Sequence, residues 1–467
     1  MVLLAQGPLV WSQAFPSYEE LLNELVQQES KNEQSSELID SVLRIGRVVT
    51  LSPWVEKAEE VPRATLSETL PRHPRWNALN TTEALSGASV SQARSALLPQ
   101  VTLNADYGRR ITGSSPLSEA PRSNLLSTQA QIGLRQLLFD FGATWRLWRS
   151  SEQSAIASCL RTEYQRSEFL LETIEPIQNR QRAELLAYWS SVLLRQRDQT
   201  VQMMKGRFEE GVGTIYDIAR AELKRAELSR QQADLSGQLS RLATQIRLNG
   251  FESPPLLPVI WLPAADQTPS GFQDHPLIDE ARRSVTAAEL QALAATGRRY
   301  PQLSLDLSAG GQRYEGERSG TREDYSALVT LSYPLFDGGL SSARVDEALA
   351  KFKQAQLDLD QRLMTLSNLE AQALSDVSVQ TELLLGSKQG LLSAVQSFSA
   401  AKELFRIKRA DLQDLQRAED ELLSEGLRLI NSWFDLSLST YRYLHLKGSL
   451  MPFLGFQTKS CSAPALH

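Results

Sequence analysis

Long apolar runs are missing from this 467-residue chain. None reaches the roughly 18 residues of a membrane-crossing helix, so any passage through a bilayer falls to strands. Histidine is scarce: His73, His275, His445 and His467 stand in no metal or triad spacing. No phosphate-binding GxxxxGK occurs, and the GVG at 211–213 lacks the strand, third glycine and acidic partner of a dinucleotide fingerprint. These absences give a reading of no enzyme and no cofactor. Positive charge is in deficit: a net charge of −6, with no clustered basic face, excludes a nucleic-acid binder. The two cysteines, Cys159 and Cys461, lie in different contexts and are expected to supply neither a disulfide framework nor a metal set. No Lys or Arg precedes Lys31, although Ser12-Gln13-Ala14 resembles a small-x-small cleavage site. Residues 1–14 therefore read either as a truncated signal segment or as an ordinary apolar stretch.

What is present is a sequence written twice. His73-Pro74 recurs as His275-Pro276 and Pro99-Gln100 as Pro301-Gln302, displaced by 202 residues. Phe139-Asp140 recurs as Phe336-Asp337, Phe208 as Phe405, Asp217 as Asp414 and Ala221-Glu222 as Ala418-Glu419, displaced by 197. One loop, between the two strands of each half, is thus shorter in the second copy. Each half reads as helix, strand, loop, strand and long helical hairpin. The first repeat is 71–251, with strands at about 99–110 and 128–139 and the hairpin at 140–249. The second is 276–448, with strands at about 301–313 and 325–336 and the hairpin at 337–448. A proline-rich linker occupies 252–275, a helical extension 15–70 and a tail 449–467.

The strands alternate. Val101, Leu103, Ala105 and Tyr107 alternate with Thr102, Asn104 and Asp106, and Leu303, Leu305 and Leu307 with Ser304, Asp306 and Ser308. Ala130, Ile132 and Leu134, and Ala327, Val329, Leu331 and Tyr333, continue the pattern. Four strands of roughly ten residues suit a bilayer crossing, but four cannot close a barrel, so several chains must share one. Asp140 and Asp217 are 77 residues apart, as are Asp337 and Asp414, which implies helices of roughly 100 Å. Val345, Phe352, Leu359, Leu366 and Ala373 keep a seven-residue step, as do Leu415, Leu422, Leu429, Leu436 and Tyr443. Arg362 interrupts the accompanying row of Ala348, Ala355 and Leu369, and Pro176 is expected to kink or break the first long helix. At the strand-to-helix joins Phe139, Asp140 and Gly142, and Phe336, Asp337, Gly338 and Gly339, relieve the backbone and place aromatics at an interfacial belt.

SALLPQVTLNADYG with RRYPQLSLDLSAG, the paired LFDFG and LFDGG joins, and FEEGVGTIYDIARAE at the first tip together resemble the TolC family of outer-membrane channels over residues 70 to about 448. The resemblance implies a mainly α fold with a small β part. Four transmembrane strands per protomer would form a 12-stranded barrel in a homotrimer, continued by coiled-coil hairpins as a periplasmic tunnel. It further implies outer-membrane lipid, a periplasmic adaptor and an inner-membrane pump, ATP-driven or proton-driven, as partners, and a passive duct for type I secretion of protein or for efflux of small molecules. By the same resemblance Asp217 and Asp414 fall at the closed entrance, with Phe208 and Phe405 at the tips; Phe405 falls where some members carry a gate tyrosine. Arg409 and Arg417 are the available cationic partners. Gly211, Val212, Gly213 and Thr214 resemble the adaptor-docking turn, or simply let the chain reverse. The reading from a different class is a soluble coiled-coil scaffold.

Overall fold

The computed structural model describes residues 66–112, 123–253, 255–260, 272, 275–315, 320–457 and 461. The segments at 1–14 and 15–65, most of the linker beyond 260, and the tail from 458 apart from Cys461 lie outside the described residues. The chain is mainly helical with one sheet. Helix α1 is Pro74–Ser95, followed by β1 (Gln100–Thr112), β2 (Ser123–Phe139), α2 (Ala143–Glu209) and α3 (Ile215–Leu248). The second half repeats this order with α4 (Pro276–Gly297), β3 (Gln302–Glu315), β4 (Gly320–Ser332), α5 (Leu340–Arg406) and α6 (Leu412–Leu446). A short α7, Leu450–Phe453, follows.

All four strands join one antiparallel sheet in the order β1-β2-β3-β4, so the two halves meet where β2 pairs with β3. Residues directly opposite each other in antiparallel strands share a face. One row is therefore Val101, Leu134, Leu307 and Ala327, and the next Leu103, Ile132, Ala309 and Tyr325. Between them run Thr102, Gly133, Ser308 and Ser326, and Asn104, Gln131, Gly310 and Asp324. One register thus puts both halves' apolar residues on the same side. Among the described residues nothing covers that side, for Leu103 is 70% and Tyr325 74% exposed. Leu328 and Leu137 are apolar residues on the polar face, Leu137 opposite Ser304 and Leu328 opposite an Asp306 that pairs with Arg135 at 3.4 Å.

Among the described residues, one compact unit holds 78–164, 272–365 and Cys461, and the other 66–77, 165–260 and 366–457. In the unit that carries the sheet, α4 lies along the start of α2, with the Ser150 hydroxyl donating to the Ala287 carbonyl at 2.9 Å. Glu280, buried on α4, takes Arg161 of α2 at 2.8 Å and Arg362 of α5. Arg362 breaks the apolar row because it holds α5 to α4, a role no leucine can fill. The expectation for the cysteines is corrected here: Cys159 and Cys461 form a disulfide across 302 residues of sequence. Distance along the chain does not measure distance in space, and the tail returns to α2.

Pro176 lies in the other unit, inside the continuous 67-residue α2, so of the expected kink or break the break does not occur. The missing N–H costs about 3 kcal/mol or more, and packing offsets it, because Phe169, Leu170, Ile174 and Ile177 on the flanking turns are all buried in one cluster with Tyr441 and Leu257. The described part of the linker is bound to helices there: the Pro258 carbonyl accepts from Tyr441 Oη at 2.9 Å and from Gln178 Nε2 at 3.1 Å. A second cluster joins α2, α3, α5 and α6 around Trp189, Leu228, Val395, Leu422 and Phe434. The Trp189 indole donates to the Leu423 carbonyl at 3.3 Å, and its ring fills the notch left by Gly426. A Cβ at Gly426 would lie 2.2 Å from that ring. Gly426→Ala should therefore destabilise by about 1–3 kcal/mol, although Ala is the better helix former by about 1 kcal/mol. Thermal unfolding of the purified protein checks the sign.

Candidate functional site

The two joins have the same backbone. Phe141 and Gly142 have φ of +55° and +76°, and Gly338 and Gly339, at the equivalent positions, +66° and +89°. In both copies two consecutive left-handed residues bend the chain immediately before the long helix. Each join also carries an aspartate that satisfies the new helix's first N–H groups. Asp140, buried, accepts from Thr144 N at 2.7 Å. Asp337 accepts from Ser341 N at 2.9 Å, Gly339 N at 3.1 Å and the Ser341 hydroxyl, and the Ser341 bonds hold its carboxyl below the ordinary range. Phe141 takes a conformation that is unfavourable for any side chain, and its ring packs 4.8 Å from both Phe139 and Tyr300. The second copy puts Gly338 in that place. There β4 leaves the ladder after Ser332, Pro334 follows with no N–H to donate, and Phe336 is 91% exposed.

The hairpin turns also match. Gly211 has φ +75° and Lys408, at the equivalent position, +61°. Val212 N and Gly213 N both donate to Arg207 O at 2.9 Å, and Arg409 N and Ala410 N to Leu404 O at 2.8 and 3.3 Å. Each return helix then opens with a capping box. Thr214 Oγ1 accepts from Asp217 N at 3.2 Å while Asp217 Oδ2 accepts from Thr214 N at 3.0 Å. Asp411 Oδ1 accepts from Asp414 N at 2.9 Å, with Asp414 reaching back. The two aspartates singled out in sequence are thus the third-residue partners of the capping boxes, with Thr214 and Asp411 as the caps. Arg417 lies 3.7 Å from Asp414, one turn along the same helix, and Arg409 is exposed. Phe405 is buried in the helical core with the Arg207 guanidinium 4.9 Å from its ring centroid. Its repeat partner Phe208 is exposed, as are Val212, Ile215 and Tyr216 on the first turn.

A polar cluster behind the turns escaped the sequence reading. Arg197 of α2 binds Asp420 of α6 and donates to the Lys224 carbonyl of α3 at 2.6 Å, and Lys224 Nζ lies 3.1 Å from Asp420. Next to it the Thr200 hydroxyl donates to Glu419 Oε1 at 2.9 Å. Burial pushes the Glu419 carboxyl up, against the Thr200 bond and the Arg197 charge. Its repeat partner Glu222 is exposed and meets Lys205 at 3.0 Å. The repeated Ala-Glu pair was the signal available, but repetition did not show which glutamate is buried.

The model of the family described as outer membrane efflux protein matches residues 65–250 and 272–432. Outer membrane efflux protein BepC of Brucella suis is 22% identical over 420 residues, covering 87% of this chain and 90% of the relative. Outer membrane protein TolC of Escherichia coli is 24% identical over 393 residues, covering 77% and 76%. Among solved structures, the CmeC outer membrane channel of Campylobacter jejuni superposes with a TM-score of 0.74 at 16% identity, over 84% of this chain and 85% of that one.

Two outcomes are expected. A Cβ at Gly211 meets nothing within 4 Å, so Gly211→Ala should cost only the left-handed backbone, about 1 kcal/mol, and Lys408→Gly should change stability in the opposite sense. Hydrogen exchange of the turn amides checks both. Because the folded-state pKa of Glu419 is raised, its contribution to stability is complete below the unfolded carboxylate pKa and is lost as pH rises through the folded value. Glu419→Gln should therefore raise the melting temperature at pH 8, and the gain should shrink as pH falls toward 4. A gain that grows on acidification would contradict this.

Proposed function

Because the chain belongs to the outer membrane efflux protein family, whose model spans most of its length, we propose that it works as a homotrimeric, passive outer-membrane duct in a tripartite export system. The observation that carries this is the sheet. Among the described residues β1 and β4 have no second neighbour, and the apolar face lies open. Set edge to edge, β4 of one copy against β1 of the next, three such sheets give 12 strands with no edge left over. The apolar rows then meet lipid and the polar rows line the lumen. The long hairpins continue the duct through the periplasm to a tip where a periplasmic adaptor engages the 211–214 turn and its exposed Val212, Ile215 and Tyr216. Energy comes from an inner-membrane pump. The cargo, protein or small molecule, moves by gated diffusion, and in this reading Asp217, Asp414, Arg409 and Arg417, with the tip phenylalanines Phe208 and Phe405, lie at the gate.

The test is which face of the sheet meets lipid. The purified protein should run as a heat-sensitive trimer and conduct in planar bilayers. Leu103→Lys with Leu331→Lys should abolish insertion, at a cost of about 2–4 kcal/mol for each charge near the midplane, whereas Asn104→Lys should insert and alter conductance only. Equal tolerance of all three substitutions would remove the barrel reading and leave a soluble helical scaffold.

A further inference from the structure

Arginines and aromatics gather where the sheet gives way to helix. Phe139 is the Cα partner of Leu303, itself opposite Leu331, so it belongs to the apolar face. Phe139, Phe141 and Tyr300 form a contiguous ring group. Arg146 donates to the Phe141 carbonyl at 3.0 Å and reaches the end of α4, where a Cβ at Gly297 would lie 3.3 Å from its Nη1. Arg298 and Arg299 follow immediately, both exposed, and among the described residues neither is in an ion pair. The nearest carboxylate in sequence on the join, Asp140, is taken by Thr144 N. The equivalent of Arg298-Arg299-Tyr300 in the first repeat is Ala96-Leu97-Leu98, so the repeated fold does not require this charge.

We propose that Arg298 and Arg299, beside Arg146 and the aromatic group, form a binding site for the headgroup phosphate of an anionic phospholipid in the inner leaflet of the outer membrane. The inference rests on the barrel reading. Guanidinium groups match phosphate oxygens in a two-pronged geometry, and aromatic rings fix the depth at the interface. Two cations at the C-terminal end of α4 also suit the helix dipole, but that role operates with or without lipid and gives no headgroup preference.

The experiment uses the full-length detergent-purified protein, delipidated and mixed with phosphatidylglycerol or phosphatidylcholine, and counts bound lipids by native mass spectrometry. The wild type should retain phosphatidylglycerol over phosphatidylcholine. Arg298→Gln with Arg299→Gln should lower that preference, by about fivefold for each arginine. Arg298→Lys with Arg299→Lys should retain much of it, and Arg230→Gln with Arg241→Gln on the exposed surface of α3 should leave it unchanged. If the glutamine pair fails to assemble, the single Arg299→Gln variant supplies the same reading. A wild type that binds both lipids equally, a glutamine pair with undiminished preference, or a control pair that loses as much overturns the proposal. Planar-bilayer conductance of the same preparations separates the two levels. A protein that conducts but shows no headgroup preference overturns this inference alone, and one that never enters bilayers overturns the barrel reading beneath it.

Discussion

A strand with a neighbour on only one side leaves half of its backbone N–H and C=O groups facing outward, and hydrocarbon offers them no partner. Among the described residues that condition holds along both β1 and β4, and the rest of the architecture answers to it. The ladders β1-β2 and β3-β4 keep one register throughout, and β2-β3 shifts once, between Leu137 and Phe139, so the sheet is not poorly formed. It is finished on the inside and open at its two margins. An exposed apolar face alone would call for a core or a lipid layer; combined with two open edges it calls for further copies of the same sheet. A helix packed over the face would cover the side chains and still leave the edges unsatisfied.

The joins carry this constraint into the helices. At the first join β2 stays paired to Phe139 and the helix begins at Ala143, with two left-handed residues and one capping carboxylate between them. In the second copy β4 leaves the ladder at Ser332, and the same two-residue bend comes just before Leu340. The chain meets this requirement twice with different residues: Phe141 stands where the second copy has Gly338, and Lys408 where the first has Gly211. What repeats is backbone conformation and capping. Side chains vary with what surrounds each copy, as when the Phe139 ring packs 4.8 Å from Phe141 while its equivalent Phe336 is exposed.

Periodicity made much of the fold legible in the sequence. Alternation in 101–107 and 303–307 requires a two-faced strand, the seven-step rows require helix seams, and the repeat indicates that what one half does the other does. The family was legible for the same reason, since the ordered double set of short motifs carries it even at identities near 22%. Other features depended on contacts that have no period. Cys159 and Cys461 meet because the tail returns, Pro176 is tolerated because its flanks are buried, and Arg362 breaks a heptad row because Glu280 lies opposite. The tip aspartates were found for their position, but their capping-box bonds depend on Thr214 and Asp411 at the turn, which spacing alone does not distinguish from surface polarity.

The halves diverge most where they no longer have equivalent neighbours. The proposed ring of identical chains would have one symmetry axis along its pore, and nothing in that symmetry relates the first half of a chain to its second. Glu222 and Glu419 began at matched positions, yet Glu222 faces solvent with Lys205 and Glu419 is enclosed beside Arg197, Thr200 and Asp420. A buried, unpaired carboxylate would be strongly unfavourable, so its retention requires the polar cluster around it to form as a unit. That cluster bridges the first hairpin to the return helix of the second within one chain. The two hairpins are therefore held together at that level by bonds that the repeat did not supply. Relative movement of the hairpins there must break charge-assisted bonds, whereas the capped turns beyond can be carried along intact.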